Sequence, residues 1–119
     1  MLLLKMNDGH SLGAMAGFLR KEVIAISFEN RFVTRGVMSE IPFELQLFLW
    51  LLIDNLNEPK DYLQVFRLSA SEGVQHIIHE QEEPEYHKEC DIKINDPVNA
   101  KVYVIDDDDH CTMLLAEEY

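Results

Sequence analysis

The sequence predicts an α+β domain in which one long apolar helix packs on a mostly antiparallel sheet of about five or six strands. From Phe43 to Leu56, ten of fourteen residues are apolar, which predicts one helix with almost no polar face. On both sides of this segment, short runs of β-branched and aromatic residues are separated by turn residues, as strands are. The expected order of elements is β-α-β-β-β-β-β, and 119 residues suit a single domain.

The first strand and the helix have recognisable boundaries. The stretch RFVTRGV, residues 31–37, is β-branched and aromatic and is closed by Gly36, so it is predicted to be the first strand. Pro42 suits the first position of a helix, and Glu44 favours the positive end of the helix dipole. Pro59 marks the end of the helix.

The predicted helix has more apolar residues than one sheet can cover. Those at the right spacing to face the sheet are Leu45, Phe48, Leu49, Leu52 and Leu56. Leu47, Trp50 and Leu51 then point elsewhere, and their exposure to water would be costly. We expect these three residues to form an interface, covered by residues 1–28 or by a second copy of the chain. Because the glycine-rich residues 1–28 make a poor lid, we favour a homodimer.

Five further strands are predicted after the helix. In chain order they are DYLQVFRLS, VQHIIHEQ, YHKECDIKI, KVYVID and CTMLLAEE. In the third of these, Tyr86, Cys90 and Ile92 alternate with charged residues, so this strand is expected to bury one face and expose the other. The second of the five segments, VQHIIHEQ, would equally suit one turn of helix. The last two are expected to form a hairpin around residues 107–110.

Residues 1–28 differ in composition from the rest and are interpreted as a poorly determined N-terminal extension, with residues 29–119 as the single domain. The start of the chain lacks the basic and unbroken apolar regions of a signal peptide. The longest apolar run, Leu47–Ile53, has seven residues, whereas a bilayer span needs roughly 20. We therefore expect a cytoplasmic protein with two free thiols and no membrane association.

The charge of the chain is strongly negative and unevenly distributed. Ten basic residues oppose 22 acidic ones, and residues 39–119 carry five of the basic and nineteen of the acidic residues. A surface that neutralises phosphates needs clustered lysine and arginine, so direct binding to nucleic acid is not expected. The carboxylates are expected to be scattered over turns and strand edges.

Four aspartates and a histidine, Asp106, Asp107, Asp108, Asp109 and His110, form the first candidate site. A calcium-binding loop of the EF-hand type would need a glycine where Cys111 stands, and it would lie between helices rather than strands. Aspartate is also favoured in hairpin turns because its side chain caps its own backbone. We therefore interpret this polar cluster as a solvated turn, with a weak cation site as the alternative.

A second candidate site has ligand-like spacing: His76, His79, His87 and Cys90. Zinc accepts such residues in tetrahedral sets. On a strand, however, residues i and i+3 point to opposite faces, so His76 and His79 could share an ion only if their segment were helical. No metal or other cofactor is therefore expected.

Five stretches between Asn30 and Tyr119 resemble one family. They are NRFVTRGV, IPFELQLFLWLLID, DYLQVFRLS, IIHEQEEPEY and VIDDDDHCTMLLAEEY. Together they resemble a bacterial family known as domain of unknown function 960, found chiefly in Gram-positive bacteria and their mobile elements. The resemblance implies no activity, cofactor or catalytic residue, and it does not extend to residues 1–29.

We expect a small, non-enzymatic binding or regulatory module whose partner is an unidentified protein. The sequence has no GxSxG motif, no phosphate-binding glycine loop and no HExxH motif. Three alternatives remain open. They are a metal-stabilised domain, a small hydrolase or transferase, and an acidic mimic of nucleic acid from a mobile element that occupies the basic cleft of a DNA-binding protein.

Overall fold

The computed structural model describes residues 24–26 and 30–119. The strands are β1 Ile24–Ile26, β2 Arg31–Val33, β3 Leu63–Ser71, β4 Val74–Gln81, β5 Tyr86–Lys93, β6 Ala100–Asp106 and β7 Cys111–Leu115. The helices are α1 Arg35–Glu40 and α2 Phe43–Asp54, and a 3-10 helix follows at Ala116–Glu118. The predicted N-terminal extension lies outside the described residues, except for β1. Within the described residues, no helix is long and apolar enough to cross a bilayer.

All seven strands join in one mixed sheet in the order β1-β2-β7-β6-β3-β4-β5. Strands β2 and β7 are parallel, with Arg31 opposite Cys111 and Val33 opposite Met113, and every other neighbouring pair is antiparallel. The last strand of the chain is thereby inserted between β2 and β6. Both helices pack on one face of the sheet, called the core face below, through a shared apolar cluster.

The predicted fold is wrong in its strand count, its helix and its order of elements. Among the described residues the sheet has seven strands with one parallel pair, and there are two short α-helices of 6 and 12 residues. Helix α1 replaces the end of the predicted first strand, and α2 takes the place of the predicted long helix. The first strand ends at Val33 because Thr34 caps a helix: its Oγ1 accepts a hydrogen bond of 3.2 Å from the backbone N–H of Val37. Pro42 then separates the two helices, since the residue before a proline disfavours helical backbone and Ile41 is extended.

Helix α2 is rotated relative to the predicted orientation. Its buried residues are Leu45, Gln46, Leu49, Trp50 and Ile53. Trp50 is fully buried, so the prediction that it points away from the sheet is wrong. The guanidinium of Arg31 lies 4.7 Å from the centroid of the Trp50 ring and forms an ion pair with Asp54. Leu51 is 46% exposed and Leu47 is half-buried, and their role in a homodimer stays a prediction.

The five strands predicted after the helix are confirmed as segments, except that the last one ends at Leu115 and its predicted remainder, Ala116–Glu118, is the 3-10 helix. VQHIIHEQ is a strand rather than a helical turn, and its residues alternate between half-buried and buried along the whole of β4. Strands β6 and β7 form the predicted antiparallel hairpin. On β3, Gln64, Phe66 and Leu68 are buried against the core face, whereas Leu63, Val65 and Arg67 project from the opposite, outer face.

The C-terminal turn is attached to the start of α1 by one carboxylate. Glu118 Oε1 accepts hydrogen bonds from Thr34 Oγ1 at 2.7 Å and from the backbone N–H of Leu115 at 2.8 Å. A Cβ placed on Gly36 would overlap this carboxylate. The C-terminal turn and the start of α1 therefore meet closely at Gly36, where a larger residue would displace the Glu118 carboxylate.

Replacing Gly36 with alanine is expected to lower the free energy of unfolding by about 1 kcal/mol, since the new methyl group displaces the Glu118 carboxylate from its hydrogen bonds. In a Glu118→Ala background the same change is expected to raise it by about 0.5 kcal/mol, because alanine favours a helix over glycine. Urea denaturation of the four proteins measures both effects. An equal loss of stability in both backgrounds would contradict this role of Glu118.

Candidate functional site

The strand pairings gather carboxylates at one end of the sheet. Strands β3, β5 and β7 start at this end, and β4 and β6 finish there. Ten of the nineteen acidic residues between positions 30 and 119 belong to the segments that meet at this end: Asp54, Glu58, Asp61, Glu82, Glu83, Glu85, Asp106, Asp107, Asp108 and Asp109. Most of these carboxylates lie in turns and loops, and the sheet brings those turns and loops together at one end.

A groove of about 410 Å³ opens on the outer face at this end, and we call it the acidic groove. Its lining residues are Asp61, Tyr62, Leu63, Val65, Arg67, Glu80, Gln81, Glu82, Glu85, Tyr86 and His87. Leu63 and Val65 supply an apolar surface from β3. The ring of Tyr62 is 61% exposed beside them. The groove therefore combines apolar and aromatic contact area with carboxylates.

The carboxylates of the groove differ in their partners. Glu80 Oε1 accepts a hydrogen bond of 2.9 Å from Arg67 Nε, and this bond is the main reason that the pKa of Glu80 is lowered. Asp61 Oδ2 accepts from the backbone N–H groups of Glu82 and Glu83, and the bond from Glu83 contributes most to its lowered pKa. Within the described residues, the side chains of Glu82 and Glu85 form no ion pair.

Buried glutamines hold the loops that shape the groove. The Gln81 amide donates to the carbonyls of Pro59 at 3.0 Å and Pro84 at 2.9 Å, and its Oε1 accepts from the backbone N–H of Asp61 at 2.9 Å. Gln64 Nε2 donates to the same oxygen at 2.6 Å. A side chain that is 5% exposed thus joins the loop before β3 to the turn after β4.

His79 extends this network into the core. Its Nε2 lies 2.6 Å from Gln64 Oε1, so the neutral ring carries its proton on Nε2 and donates it to the amide. The ring stacks on Phe66 with centroids 4.4 Å apart and meets the edge of Tyr86. Burial lowers the pKa of His79 to about 4, which keeps the ring uncharged at neutral pH.

A row of alternating charges crosses strands β3, β4 and β5 on the outer face, and we call it the charge row. In spatial order its members are Arg67, Glu80, His87, Glu89, His76 and Asp91. The row enters the acidic groove through Arg67, Glu80 and His87, which also line it. The alternation along β5 predicted that its charged residues share one exposed face, but it could not supply the register that brings His76 of β4 beside them.

The four residues of the hypothetical zinc site do not converge. His76 and His87 belong to the outer face, whereas His79 and Cys90 lie on the core face. They are separated because successive side chains of a strand point to opposite faces of the sheet. Among residues 24–26 and 30–119, no group of three or more histidine, cysteine or acidic side chains has a geometry that could hold a metal ion. Burial is the main cause of the raised pKa of Cys90.

The turn between β6 and β7, called the aspartate turn below, begins at the last residue of β6 and consists of Asp106, Asp107, Asp108, Asp109 and His110. Asp106 Oδ1 accepts from the backbone N–H of Asp108, whose φ of 74° is one that aspartate tolerates. His110 Nδ1 lies 2.7 Å from Asp109 Oδ1, and this hydrogen bond lowers the pKa of Asp109. The polar side chains therefore bond largely within the turn, and none of them lines the acidic groove.

Comparison with known proteins gives a family but no activity. The family described as staphylococcal protein of unknown function, domain of unknown function 960, matches residues 30–118. A solved structure described as a protein of unknown function from Enterococcus faecalis is similar to this chain, with a TM-score of 0.66 and 27% sequence identity. The similarity covers 75% of this chain and 89% of that chain. None of the curated proteins matches.

Acidification is expected to destabilise the protein through His79. Its folded pKa of about 4 lies below the ordinary value of 6.5, so the unfolded state takes up the proton first as the pH falls. The stability lost between these two values is about 3 kcal/mol, at 1.36 kcal/mol for each pKa unit. Urea denaturation between about pH 7 and pH 4.5 should show a shallower loss for His79→Gln, which retains a donor for Gln64.

His110→Gln is the matched control, because His110 lies 40% exposed in the aspartate turn and outside the buried network. This variant is expected to keep the full acid dependence of the wild type. If His79→Gln and the wild type lost stability in parallel over the same pH range, His79 would not be the buried neutral group described above.

Proposed function

The chain belongs to the family of staphylococcal proteins of unknown function, and we propose that it is a non-enzymatic module that binds a positively charged segment of another protein in the acidic groove. The observation that carries the proposal is the lining of that groove. It combines an apolar surface with an exposed tyrosine and two carboxylates that form no ion pair within the described residues.

The mixed lining of the groove supports a polypeptide segment as the occupant. Binding surfaces for proteins combine apolar and aromatic contact area with a polar rim. Leu63, Val65 and the exposed ring of Tyr62 supply the first component, and Glu82 and Glu85 supply the second. Because lysine and arginine carry long apolar stems below a charged head, both parts of the groove can contact one such side chain.

The charge of the groove supports a cationic occupant. Four carboxylates line it against Arg67 and His87, and the net charge of the chain is −12. Charge complementarity raises association rates and selects partners. The chain itself supplies an example: Arg67 is 52% exposed and lies against Glu80 with a contact of 2.9 Å. An arginine of a partner would make the same kind of contact with Glu82 or Glu85.

The hydrogen-bond partners of His87 and His79 support binding rather than catalysis. A general base needs a free ring nitrogen within reach of the substrate. Both ring nitrogens of His87, the histidine that lines the groove, face carboxylates: Nδ1 lies 3.0 Å from Glu80 and Nε2 lies 3.1 Å from Glu89. His79 is buried below the sheet and already bonded to Gln64.

An acidic mimic of nucleic acid is a second candidate, and the ten carboxylates at one end of the sheet favour it. Such a mimic would use the aspartate turn as well as the groove, because it must oppose a cleft that binds many phosphates. The two proposals therefore differ in whether Asp107 and Asp108 contribute to binding.

A rhodamine-labelled octalysine peptide is expected to bind the full chain, and its affinity should fall as salt is raised. The pair Glu82→Gln with Glu85→Gln should weaken binding about tenfold, since both charges lie in the groove. The matched pair Asp107→Asn with Asp108→Asn also removes two charges, but should weaken it by about twofold or less. Fluorescence anisotropy measures the three affinities.

Equal weakening by the two pairs would favour the mimic over the groove. No binding by the wild type, or unchanged binding by the groove pair, would overturn the proposal. Tyr62→Ala tests the aromatic contribution, and because this ring is 61% exposed its removal should leave the fold intact. We expect about a threefold loss of affinity for this variant, which corresponds to the weaker cation–π contacts of exposed sites.

A further inference from the structure

We infer that protonation of His76 and His87 regulates the acidic groove, so that the groove binds a cationic segment more tightly as the pH rises. The inference rests on the proposed function, and it names the regulation of that same site. It is carried by the charge row, in which each of the two histidines lies between two carboxylates.

The contacts of His76 repeat those of His87. The Nδ1 of His76 lies 2.5 Å from Asp91 Oδ1, and its Nε2 lies 3.3 Å from Glu89 Oε1. The other oxygen of Glu89, Oε2, lies 3.1 Å from Nε2 of His87. One carboxylate therefore contacts both rings, and the two protonation events are coupled through Glu89.

This geometry satisfies the charged form of each ring. A neutral imidazole has one N–H and one lone pair, so only one of its two nitrogens can donate to a carboxylate. The other nitrogen would then direct its lone pair at a negatively charged oxygen. An imidazolium donates from both nitrogens, so each protonated ring satisfies both of its contacts and the two rings together satisfy all four. Loss of the proton must therefore release or repel one carboxylate at each histidine.

The surroundings also favour the charged form. From β4 and β5, His87 is faced by Glu80 and Glu89, with Glu82 and Glu85 lining the same groove. His76 is faced by Glu89 and Asp91, and its opposite residue on β3 is an uncharged serine, Ser69. The bases on this face are Arg67, which pairs with Glu80, Lys93 beyond Asp91 on β5, and Lys101 on β6.

The pKa values agree with this arrangement. The hydrogen bond to Asp91 is the main reason that the pKa of His76 is raised, and the bond to Glu89 is the main reason for His87. Both rings therefore hold their protons to a higher pH than a free histidine does. As the pH rises through these pKa values, the row loses two positive charges, and Glu80, which lines the groove, loses His87 as a counter-ion and keeps only Arg67. The potential around Glu82 and Glu85 becomes more negative, because His87 lines the same groove.

The experiment measures the affinity of rhodamine-labelled octalysine for the full chain at about pH 5.5 and pH 8, where the peptide stays cationic. The wild type should bind about fivefold more tightly at the higher pH, as expected for two partly screened charges near the groove. His79 does not contribute, because its pKa of about 4 lies below this range.

The variant His76→Gln with His87→Gln mimics the neutral rings. It should bind equally at both pH values, and as tightly as the wild type does at the higher pH. His110→Gln, which changes a histidine outside the row, should keep the wild-type dependence. A gain of affinity at low pH is not the result that structural damage would give, so the double variant separates regulation from misfolding.

Binding that is equally tight at both pH values, or a double variant that keeps the pH dependence, would overturn the regulation and leave the proposed function standing. No binding at either pH would overturn both. A proton NMR titration of the imidazole rings tests the coupling directly: Glu89→Gln should lower the pKa of His76 and His87 together. If that variant moved neither pKa, the inference would also fail.

Discussion

The parallel pairing of β2 with β7 is the constraint on which the rest of the domain depends. It places Arg31 opposite Cys111 and carries the chain directly into α1 through the Thr34 cap. From β2, Arg31 reaches both Trp50 and Asp54, which fixes the rotation and the far end of α2. At the other end of the pair, Thr34 donates to Glu118. The β2–β7 pairing thus fixes the position of both helices over the sheet.

The acidic groove depends on the opposite half of the sheet, where polar residues occupy the core face. Gln64, Gln81 and His79 are almost completely buried, and such groups are costly unless they are hydrogen-bonded. Their hydrogen bonds reach backbone groups of the loops around Pro59, Asp61 and Pro84. An apolar core could not hold these loops in this way. The buried amides therefore keep the carboxylates and tyrosine of the groove in position while the groove itself remains open to solvent.

Sequence reasoning succeeded where the information was local and failed where it was not. The alternation along Val74–Gln81 and Tyr86–Lys93 is a property of each segment, so both strands were predicted with nearly correct bounds. The stretch RFVTRGV was assigned to one strand because its composition outweighed Thr34, which caps a helix. The parallel position of β7 beside β2 joins residues about 80 positions apart, and no local pattern specifies such a contact. The acidic groove also depends on this kind of register.

His76 and His79, three residues apart on β4, show how one sheet gives the same residue type opposite properties. The three-residue spacing that excludes a shared metal ion places His76 among carboxylates on the outer face and His79 beside Phe66 in the core. Hydrogen bonds to carboxylates raise the first pKa, and burial lowers the second to about 4. Stability and groove charge therefore respond to protons in different pH ranges. The outer row changes its charge at a higher pH than free histidines would, where the buried ring is already neutral, so the proposed regulation of binding does not require loss of the fold.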